Sequence, residues 1–205
     1  QVGFNALRAL SGRGVPAPFA AAGDGQVVGE GAGIMCLKRR ADAQRDGDEV
    51  LAVIRGLGLS NDRDGKLLAP SSEGQLRAMR QAYAQADWRP GMVDLIECHA
   101  TGTPLGDAIE FASLRSLWAQ EPPRSGPVVI GSSKSNFGHA LTAAGAAGVI
   151  KAIQALRHGV LPPTANFVRS QAGIDLASTP FVVLSEERPW PVPSAAGPRR
   201  AAVSA

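Results

Sequence analysis

The chain has 205 residues and a net charge of +3, with 44% hydrophobic and 5% aromatic residues, which suits one globular domain, or a large part of one, around an aliphatic core. This charge is too small to indicate a nucleic-acid-binding protein, no run of about 18 apolar residues could span a membrane, and no signal peptide is visible. Two cysteines without metal-ligand spacing suit the reducing cytoplasm. The chain starts at Gln1, and a strand-like run stops at Ala205, so we expect a piece of a longer polypeptide.

Two stretches near the N-terminus predict a short helix and a strand. The apolar spacing over Val2–Leu10 is typical of a helix packed on one face. The apolar run within Gly31–Leu37 predicts a strand with close backbone approach at its glycines. The glycine pattern that begins at Gly29 could indicate dinucleotide binding, but that fingerprint opens a helix, whereas this one leads into a strand. Cys36 lies in the apolar run and is expected to be a buried small hydrophobe.

The middle of the chain alternates predicted strands and helices. A polar helix over Arg39–Asp46 should end at Gly47, and a strand should follow over Val50–Leu59. After an irregular loop, Ser60–Ser72, the sequence predicts an amphipathic helix over Glu73–Ala86. This alternation predicts a sheet with helices packed on it. The C-terminal region adds two strands and a proline-rich crossing between them: Phe181–Leu184, Arg200–Ser204 and Pro189–Pro198.

A polar stretch follows the strand predicted near the centre of the chain. Val93–Ile96 is typical of a buried strand, and the sequence then turns polar up to His99. A loop rich in hydroxyls and glycine follows at 101–106, and Asp107 is expected to cap a helix that begins near Ala108. A strand that leads through such a loop into a helix is a common position for chemistry in α/β proteins.

The same plan is repeated further along the chain. Val128–Gly131 is a predicted strand, Ser132–Gly138 a polar loop, and His139 stands just before a predicted long helix over Ala140–Leu156. Small residues occur on several faces of that helix. We therefore expect neighbours to approach it on more than one side, as in a buried central helix.

Two histidines are the candidates for a paired imidazole. They are His99 and His139, since the third, His158, stands at a helix end where positive charge is favoured. The predicted helix N-terminus beside His139 disfavours the imidazolium, and a neutral histidine can donate a hydrogen bond to an oxyanion. Lys134 and Glu110 are plausible partners of one another in this site, the alternative being an ordinary surface contact.

The residues alone do not place a nucleophile. Successive side chains of a strand point to opposite faces, so if His99 faces a cleft, Cys98 faces the core. Three serines flank Lys134, but none stands three residues before it, as the Ser-x-x-Lys arrangement requires. A zinc site built from Cys98 and the two histidines lacks a recognisable ligand spacing. A hydrolase of the Ser/Lys type stays an alternative at this point.

Two long motifs resemble signature loops of the β-ketoacyl synthases, the condensing domains of fatty-acid and polyketide synthases in the thiolase superfamily. The motifs are His-Ala-Thr-Gly-Thr-Pro-Leu-Gly-Asp-Ala-Ile-Glu at 99–110 and Gly-Ser-Ser-Lys-Ser-Asn-Phe-Gly-His at 131–139. A third stretch, Gly-Glu-Gly-Ala-Gly at 29–33, is also similar to the family. The resemblance implies a thiolase-like layered αβαβα fold, in which 1–48 would end the N-terminal half and 49–205 would form most of the C-terminal half.

The resemblance also implies a reaction, a decarboxylative Claisen condensation. His99 and His139 match the two histidines that hydrogen-bond the thioester oxygen, and Lys134 matches the lysine that orders that pair. Glu110 matches the glutamate near the lysine. The substrate-binding positions would be the hydroxyls that hold the phosphopantetheine arm and an amide in the second loop: Thr101, Thr103 and Asn136.

The partners follow from the same resemblance. An acyl carrier protein would deliver acyl and malonyl thioesters on its phosphopantetheine, the domain would bind no cofactor of its own, and the complete domain would be a homodimer. The family's nucleophilic cysteine stands in a Cys-Ser-Ser context that this sequence lacks. We therefore expect an acyltransferase whose isolated chain is inactive. A non-catalytic ketosynthase-like partner, of the chain-length-factor type, stays open beside it.

Overall fold

The computed structural model describes residues 2–61, 70–192 and 197–205, so the predicted loop Ser60–Ser72 and crossing Pro189–Pro198 lie partly outside the described residues. Short 3₁₀ turns occur at Pro90–Met92 and Leu141–Ala143. The helices are α1 (Val2–Ala6), α2 (Arg40–Asp46), α3 (Ser72–Ala86), α4 (Pro104–Trp118), α5 (Lys134–Phe137) and α6 (Ala144–His158). The strands are β1 (Leu95–Glu97), β2 (Val128–Gly131), β3 (Val160–Leu161), β4 (Phe181–Val182), β5 (Arg188–Pro189) and β6 (Ala201–Val203).

A four-stranded parallel sheet lies at the centre of the molecule. Its strand order is β4-β2-β1-β6, while β3 and β5 pair antiparallel in a separate two-stranded sheet. Leu95 of β1 is in register with Val129 of β2 and with Ala201 of β6. Because β1 and β2 are parallel neighbours, their C-terminal ends lie at the same edge of the sheet.

Alternate side chains of the sheet pack against helices on its two faces. On one face, Ile96 of β1 and Ile130 of β2 share a core with Phe111 of α4, and α3 packs on α4. On the other face, Leu95 of β1 packs with Ala155 of α6. This period of two is what a strand buried on both faces requires. The molecule is therefore a layered α/β structure, with α3 and α4 on one side of the sheet and α6 on the other.

Most elements that flank the two polar loops agree with the sequence prediction. Strands β1 and β2 lie at the two predicted apolar runs, and α3 begins one residue before its predicted start. Helix α2 ends at Gly47, which adopts the left-handed φ of +75° expected of a glycine cap. Strands β4 and β6 fall inside their predicted ranges, and α1 is shorter than predicted.

The prediction of strands over Gly31–Leu37 and Val50–Leu59 is wrong. Neither segment pairs as a strand with any residue that the structure describes. Their side chains are largely exposed, and Ile34 is 95% exposed. The second segment instead crosses α3, whose glutamine side chains accept the backbone N–H groups of Leu57 at 2.6 Å and Leu59 at 3.1 Å. Apolar and β-branched residues favour a strand, but a strand forms only with a partner.

Cys36 is exposed, so the prediction of a buried small hydrophobe is wrong. The reason is the same absence of a strand around it among the described residues. The residue has no apolar sheet face to pack against in that irregular segment.

Helix α6 is buried along one stripe. Ala144, Gly148, Ala152 and Ala155 recur at the spacing of one helical face and are buried, whereas Ile150 is exposed. The prediction of a buried central helix is therefore correct for that stripe only. None of the helices in the described part of the chain combines the length and the apolar character that crossing a membrane requires.

Candidate active site

The two polar loops meet because β1 and β2 are adjacent parallel strands. Glu97 at the end of β1 is in register with Gly131 at the end of β2. His99 follows β1, and Lys134 opens the short helix α5 after β2. The carboxyl edge of the sheet thus brings together the two loops that the sequence singled out.

The imidazole rings of His99 and His139 lie edge to face. Their centroids are 5.2 Å apart, and their planes make an angle of 88°. Both residues are partly buried. The Nδ1 atom of His139 is buried and has no hydrogen-bond partner in the described part of the chain. The structure therefore brings the two predicted histidines together.

A segment from the N-terminal part of the chain holds the backbone of His139. The N–H of His139 donates to the carbonyl of Val27 at 2.6 Å, and the carbonyl of His139 accepts from the N–H of Gly29 at 3.0 Å. A Cβ atom on Gly29 would overlap the carbonyl oxygen of Phe137. The glycine-rich stretch at 29–33 thus starts with a close backbone contact to the second loop, which explains why glycine is needed there.

The surroundings of both imidazoles favour the neutral form, because the rings are buried near a lysine. Burial, with the nearby charges of Lys134 and His139, lowers the pKa of His99 to about 4. Burial and Lys134 also lower the pKa of His139. The prediction that a helix dipole is the cause is wrong. Helix α6 begins at Ala144, after a 3₁₀ turn, so His139 does not occupy its N-terminus.

Glu110 and Lys134 act on one another through their charges at a distance and do not form an ion pair. Both residues are described, and no ion pair within 4.0 Å joins them. The buried carboxylate of Glu110 instead accepts the backbone N–H groups of His99 and Ala100, both at 2.8 Å. Burial raises the pKa of Glu110 to about 7. Glu110 therefore fixes the backbone from which the His99 ring projects.

Lys134 is only 3% exposed and lies among buried acidic side chains. Burial lowers the pKa of its ammonium group, and Glu97, followed by Glu110, opposes that shift. Within the described ranges, none of these carboxylates forms an ion pair with Lys134 within 4.0 Å. Lys134 therefore acts on its surroundings through its charge at a distance, including on both histidines.

The residues predicted to bind substrate lie in the same two loops. The hydroxyl oxygens of Thr101 and Thr103 are 3.1 Å apart, with Thr101 buried and Thr103 partly buried before α4. Asn136 is exposed on α5, and its side-chain oxygen accepts a hydrogen bond from the Ser135 hydroxyl at 3.1 Å. The binding roles of these three residues stay predictions.

Asp107 does not cap α4, because that helix begins at Pro104. Its buried carboxylate accepts backbone N–H groups from Thr101 at 3.0 Å, Gly102 at 3.2 Å and Phe19 at 2.7 Å. Burial raises the pKa of Asp107 to about 6. Asp107 thus joins the threonine loop to an N-terminal segment. An acidic residue near a helix start usually signals a cap, so no sequence pattern indicates this role.

Glu97 and Lys151 form an ion pair at 2.7 Å that the sequence interpretation missed. Glu97 is 2% exposed at the end of β1, and it shares a strand face with His99 because the two are two residues apart. Lys151 comes from the middle of α6. Strand alternation could have placed Glu97 in the site, but no sequence pattern pairs it with Lys151.

Comparison with known families gives this arrangement its context. The family model described as the β-ketoacyl synthase C-terminal domain matches residues 51–168, which is more than half of the chain. This chain belongs to the β-ketoacyl synthase family. The model of the N-terminal domain of the same family matches residues 1–43.

Its relatives include parts of polyketide synthases. The chain is 43% identical over 203 residues to polyketide synthase GfsA of Streptomyces halstedii, a match that covers 98% of this chain and 3% of that protein. It is 47% identical over 188 residues to the spectinabilin polyketide synthase system protein NorA' of Streptomyces orinoci, with 91% of this chain and 5% of that protein covered.

A solved ketosynthase shows the same fold. The ketosynthase from module 6 of the bacillaene synthase of Bacillus subtilis 168 superposes with a TM-score of 0.93 at 34% identity, covering 98% of this chain and 36% of that one. The predicted thiolase-like α/β fold is therefore confirmed. The β-ketoacyl synthase chain spans about a third of the solved ketosynthase and a few per cent of the synthases named above.

Cys98 is not placed to act as the nucleophile of this β-ketoacyl synthase. It is completely buried in the core on the sheet face opposite His99. Its thiol lies 3.7 Å from the carbonyl oxygen of Ile96, and burial raises its pKa well above the ordinary value. A buried neutral thiol is a poor nucleophile, since the thiolate is the reactive form.

The serines around Lys134 make other contacts. The hydroxyl of Ser132 donates to the carbonyl of Ala100 at 2.8 Å, and that of Ser135 accepts a backbone N–H at 3.1 Å. The hydroxyl of Ser133 is buried without a hydrogen-bond partner in the part of the chain that the structure describes. None of these hydroxyls is bonded to the Lys134 amine, so the geometry does not favour a Ser/Lys hydrolase. The described residues also contain no group of three or more metal-binding side chains.

Proposed function

We propose that the chain supplies the decarboxylation site of a β-ketoacyl synthase that condenses an acyl thioester with a malonyl group on an acyl carrier protein. The observation that carries this proposal is the pair of neutral imidazoles, His99 and His139, held edge to face near Lys134. Two neutral imidazoles can donate N–H bonds to one oxygen and stabilise negative charge that develops on it. Loss of carbon dioxide from a malonyl thioester develops such charge on the thioester oxygen.

The proposed reaction has two steps. The bond between the malonyl α-carbon and its carboxylate breaks, carbon dioxide leaves, and the electron pair moves into an enolate whose oxygen faces His99 and His139. The enolate carbon then attacks the carbonyl of an acyl group held on a cysteine outside this chain. A carbon–carbon bond forms, and the cysteine thiolate leaves.

The free energy contributed by one oxyanion donor indicates how much of the rate acceleration the two histidines would provide. One donor to an oxyanion is worth about 3–4 kcal/mol, which corresponds to a factor of roughly a hundred or more in rate. A pair of donors directed at the same oxygen would therefore provide a substantial part of the acceleration of the decarboxylation step.

The other predicted residues support this pair. Burial and, after it, the charge of Lys134 favour the neutral form of both imidazoles, and Glu110 fixes the backbone of His99. We assign the binding of the phosphopantetheine arm of the carrier protein to the polar groups of the same loops: Thr101, Thr103 and Asn136.

The proposal extends to the complete synthase. We propose that it makes polyketides or fatty acids in the cytoplasm as a homodimer, with no cofactor bound by the ketosynthase domain itself. Residues 1–48 would belong to its N-terminal half and 49–205 to its C-terminal half. The isolated chain would not condense thioesters, because the nucleophile would come from outside it.

Carbon dioxide release tests the proposal. The full-length synthase that contains this chain is incubated with malonyl carrier protein, beside an assay of acyl transfer to its cysteine. We expect His139→Ala to lower decarboxylation roughly a hundredfold while acyl transfer is spared. Decarboxylation by His139→Ala at the parent rate would overturn the role of this histidine. A parent synthase that neither decarboxylates nor condenses would favour a non-catalytic partner instead.

A further inference from the structure

The carboxylate of Glu97 joins three elements under the histidine pair. One oxygen accepts the backbone N–H of Ser133 at 2.6 Å, and the other lies 2.7 Å from Nζ of Lys151. Ser133 directly precedes Lys134, the first residue of α5. The end of β1, the start of α5 and the middle of α6 are thus held by one side chain that is 2% exposed.

A glycine of α6 lies against the Glu97 side chain where the helix packs on the sheet. A Cβ atom on Gly148 would lie 3.1 Å from Cγ of Glu97, tighter than ordinary van der Waals contact. Glycine at that position lets α6 approach β1 over the Glu97 side chain and carry Lys151 to it. A buried carboxylate needs both a counter-charge and hydrogen bonds, and Lys151 and Ser133 provide one of each.

Glu97 is also the carboxylate that acts most strongly on the charge of Lys134. Lys134 has no ion pair within 4.0 Å in the described residues, so its charge state depends on several neighbours at longer range. The groups that face it are acidic side chains and a thiol, together with the two histidines: Glu97, Glu110, Asp107, Cys98, His99 and His139.

We propose that Glu97 is a positioning residue for Lys134, which it holds in place through the backbone N–H of Ser133, while Lys151 balances the Glu97 carboxylate. This inference rests on the proposed function, in which the Lys134 ammonium serves the histidine pair. Glu97 itself does not contact substrate. Its contribution is exerted through the position and the charge of the lysine.

Removing the charge of Glu97 and removing the charge of Lys151 should then shift the pKa of Lys134 in opposite directions. Glu97→Gln removes a negative charge, which makes the ammonium form less favourable, so Lys134 loses its proton at lower pH. Lys151→Met removes the positive charge that balances Glu97, so Lys134 keeps its proton to higher pH. A loss of packing alone would not produce opposite shifts. The double variant should return toward the parent, because it removes both charges.

Two measurements on the full-length synthase test this. The first is carbon dioxide release from malonyl carrier protein, which establishes that the parent decarboxylates. The second is an NMR titration of lysine labelled with carbon-13 at Cε, with Lys134→Arg used to assign the Lys134 signal. We expect Glu97→Gln to move the titration of Lys134 to lower pH and Lys151→Met to move it to higher pH.

The control is the ion pair near the other end of the same strand. Asp94 lies 2.7 Å from Arg124, so Asp94→Asn removes a comparable charge away from Lys134 and should leave the titration of Lys134 unchanged. Equal titration of Lys134 in the parent and in Glu97→Gln, with decarboxylation intact in the parent, would overturn the inference. If Glu97→Gln shifts the titration of Lys134 but the parent does not decarboxylate, the proposed function is overturned and the electrostatic role of Glu97 is supported.

Discussion

His139 donates its backbone N–H to the carbonyl of Val27 at 2.6 Å, which joins one imidazole of the site to the N-terminal part of the chain. Val27 lies within the region matched by the N-terminal family model, and His139 within the region matched by the C-terminal one. The geometry of the histidine pair therefore depends on how closely these two regions pack. At Gly29 their backbones are too close together to leave room for a side chain.

Gly29→Ala should impair decarboxylation without preventing folding. The new Cβ would overlap the carbonyl oxygen of Phe137, so the 27–29 segment must move and weaken its two backbone bonds to His139. Because a misplaced donor loses most of its effect on an oxyanion, we expect carbon dioxide release to fall about tenfold or more. Gly31→Ala is the matched control, since nothing lies within 4 Å of a Cβ there. Equal losses in both variants would contradict this account.

The meeting of the two loops could be predicted from the sequence, whereas the partners of the charged groups could not. Two apolar runs, each followed by a polar loop and a histidine, indicate parallel strands that end at one edge, as β1 and β2 do. Whether Glu110 contacts Lys134 or two backbone N–H groups depends on small differences of position in the folded structure. Pattern and spacing do not resolve such differences, and the same is true of Lys151 with Glu97.

The two strands that did not form have a different explanation. The runs at Gly31–Leu37 and Val50–Leu59 carry the residues that favour strands, but strand formation also requires hydrogen bonds to a neighbouring strand. Among the described residues no strand lies beside them, and the second run gives N–H groups to glutamine side chains of α3 instead. Local propensity is visible in a sequence, while the presence of a pairing partner is a property of the folded arrangement.

Removing the charge of Lys134 should move the acid limb of decarboxylation to higher pH. Burial is the main cause of the lowered pKa of both histidines, which for His99 is about 4, and the cation of Lys134 adds to it. In Lys134→Met the imidazoles would take up protons at higher pH, closer to the ordinary value of about 6.5, and the neutral donors would be lost earlier on acidification. Lys134→Arg keeps the charge and should keep the limb. Carbon dioxide release from pH 4 to 8 gives the answer, and identical limbs in Lys134→Met and the parent would contradict it.

Cys98→Ser should retain most condensation activity. Cys98 lies in the core on the sheet face opposite His99, so it contacts none of the proposed reacting groups. The substitution should instead lower the free energy of unfolding by about 1–2 kcal/mol, because a buried hydroxyl replaces a weakly polar thiol. Turnover and thermal unfolding of the full-length synthase distinguish the two effects. A hundredfold loss of turnover in a folded variant would show that the sheet-face argument fails at this position.

Asp107→Asn should weaken the binding of malonyl carrier protein more than it slows the chemistry. The carboxylate accepts three backbone N–H groups from Thr101, Gly102 and Phe19 through two oxygens. An amide offers one acceptor oxygen and directs its NH₂ group at the remaining N–H. A hydrogen bond to a charged group is worth about 1.5–3 kcal/mol, so the threonine loop should lose its fixed position, and KM should rise about tenfold or more.

The comparison that isolates this effect uses a second aspartate with a similar backbone bond. Asp175 accepts the N–H of Ala177 at 3.1 Å in an exposed position, and Asp175→Asn should leave KM unchanged. Asp107→Ala should raise KM further, because it removes both acceptors, and should lower the unfolding temperature as well. If Asp107→Asn lowers stability while KM and kcat both stay at parent values, the carboxylate supports the fold alone. The loop would then hold its binding conformation without the bonds from Thr101 and Gly102 to Asp107.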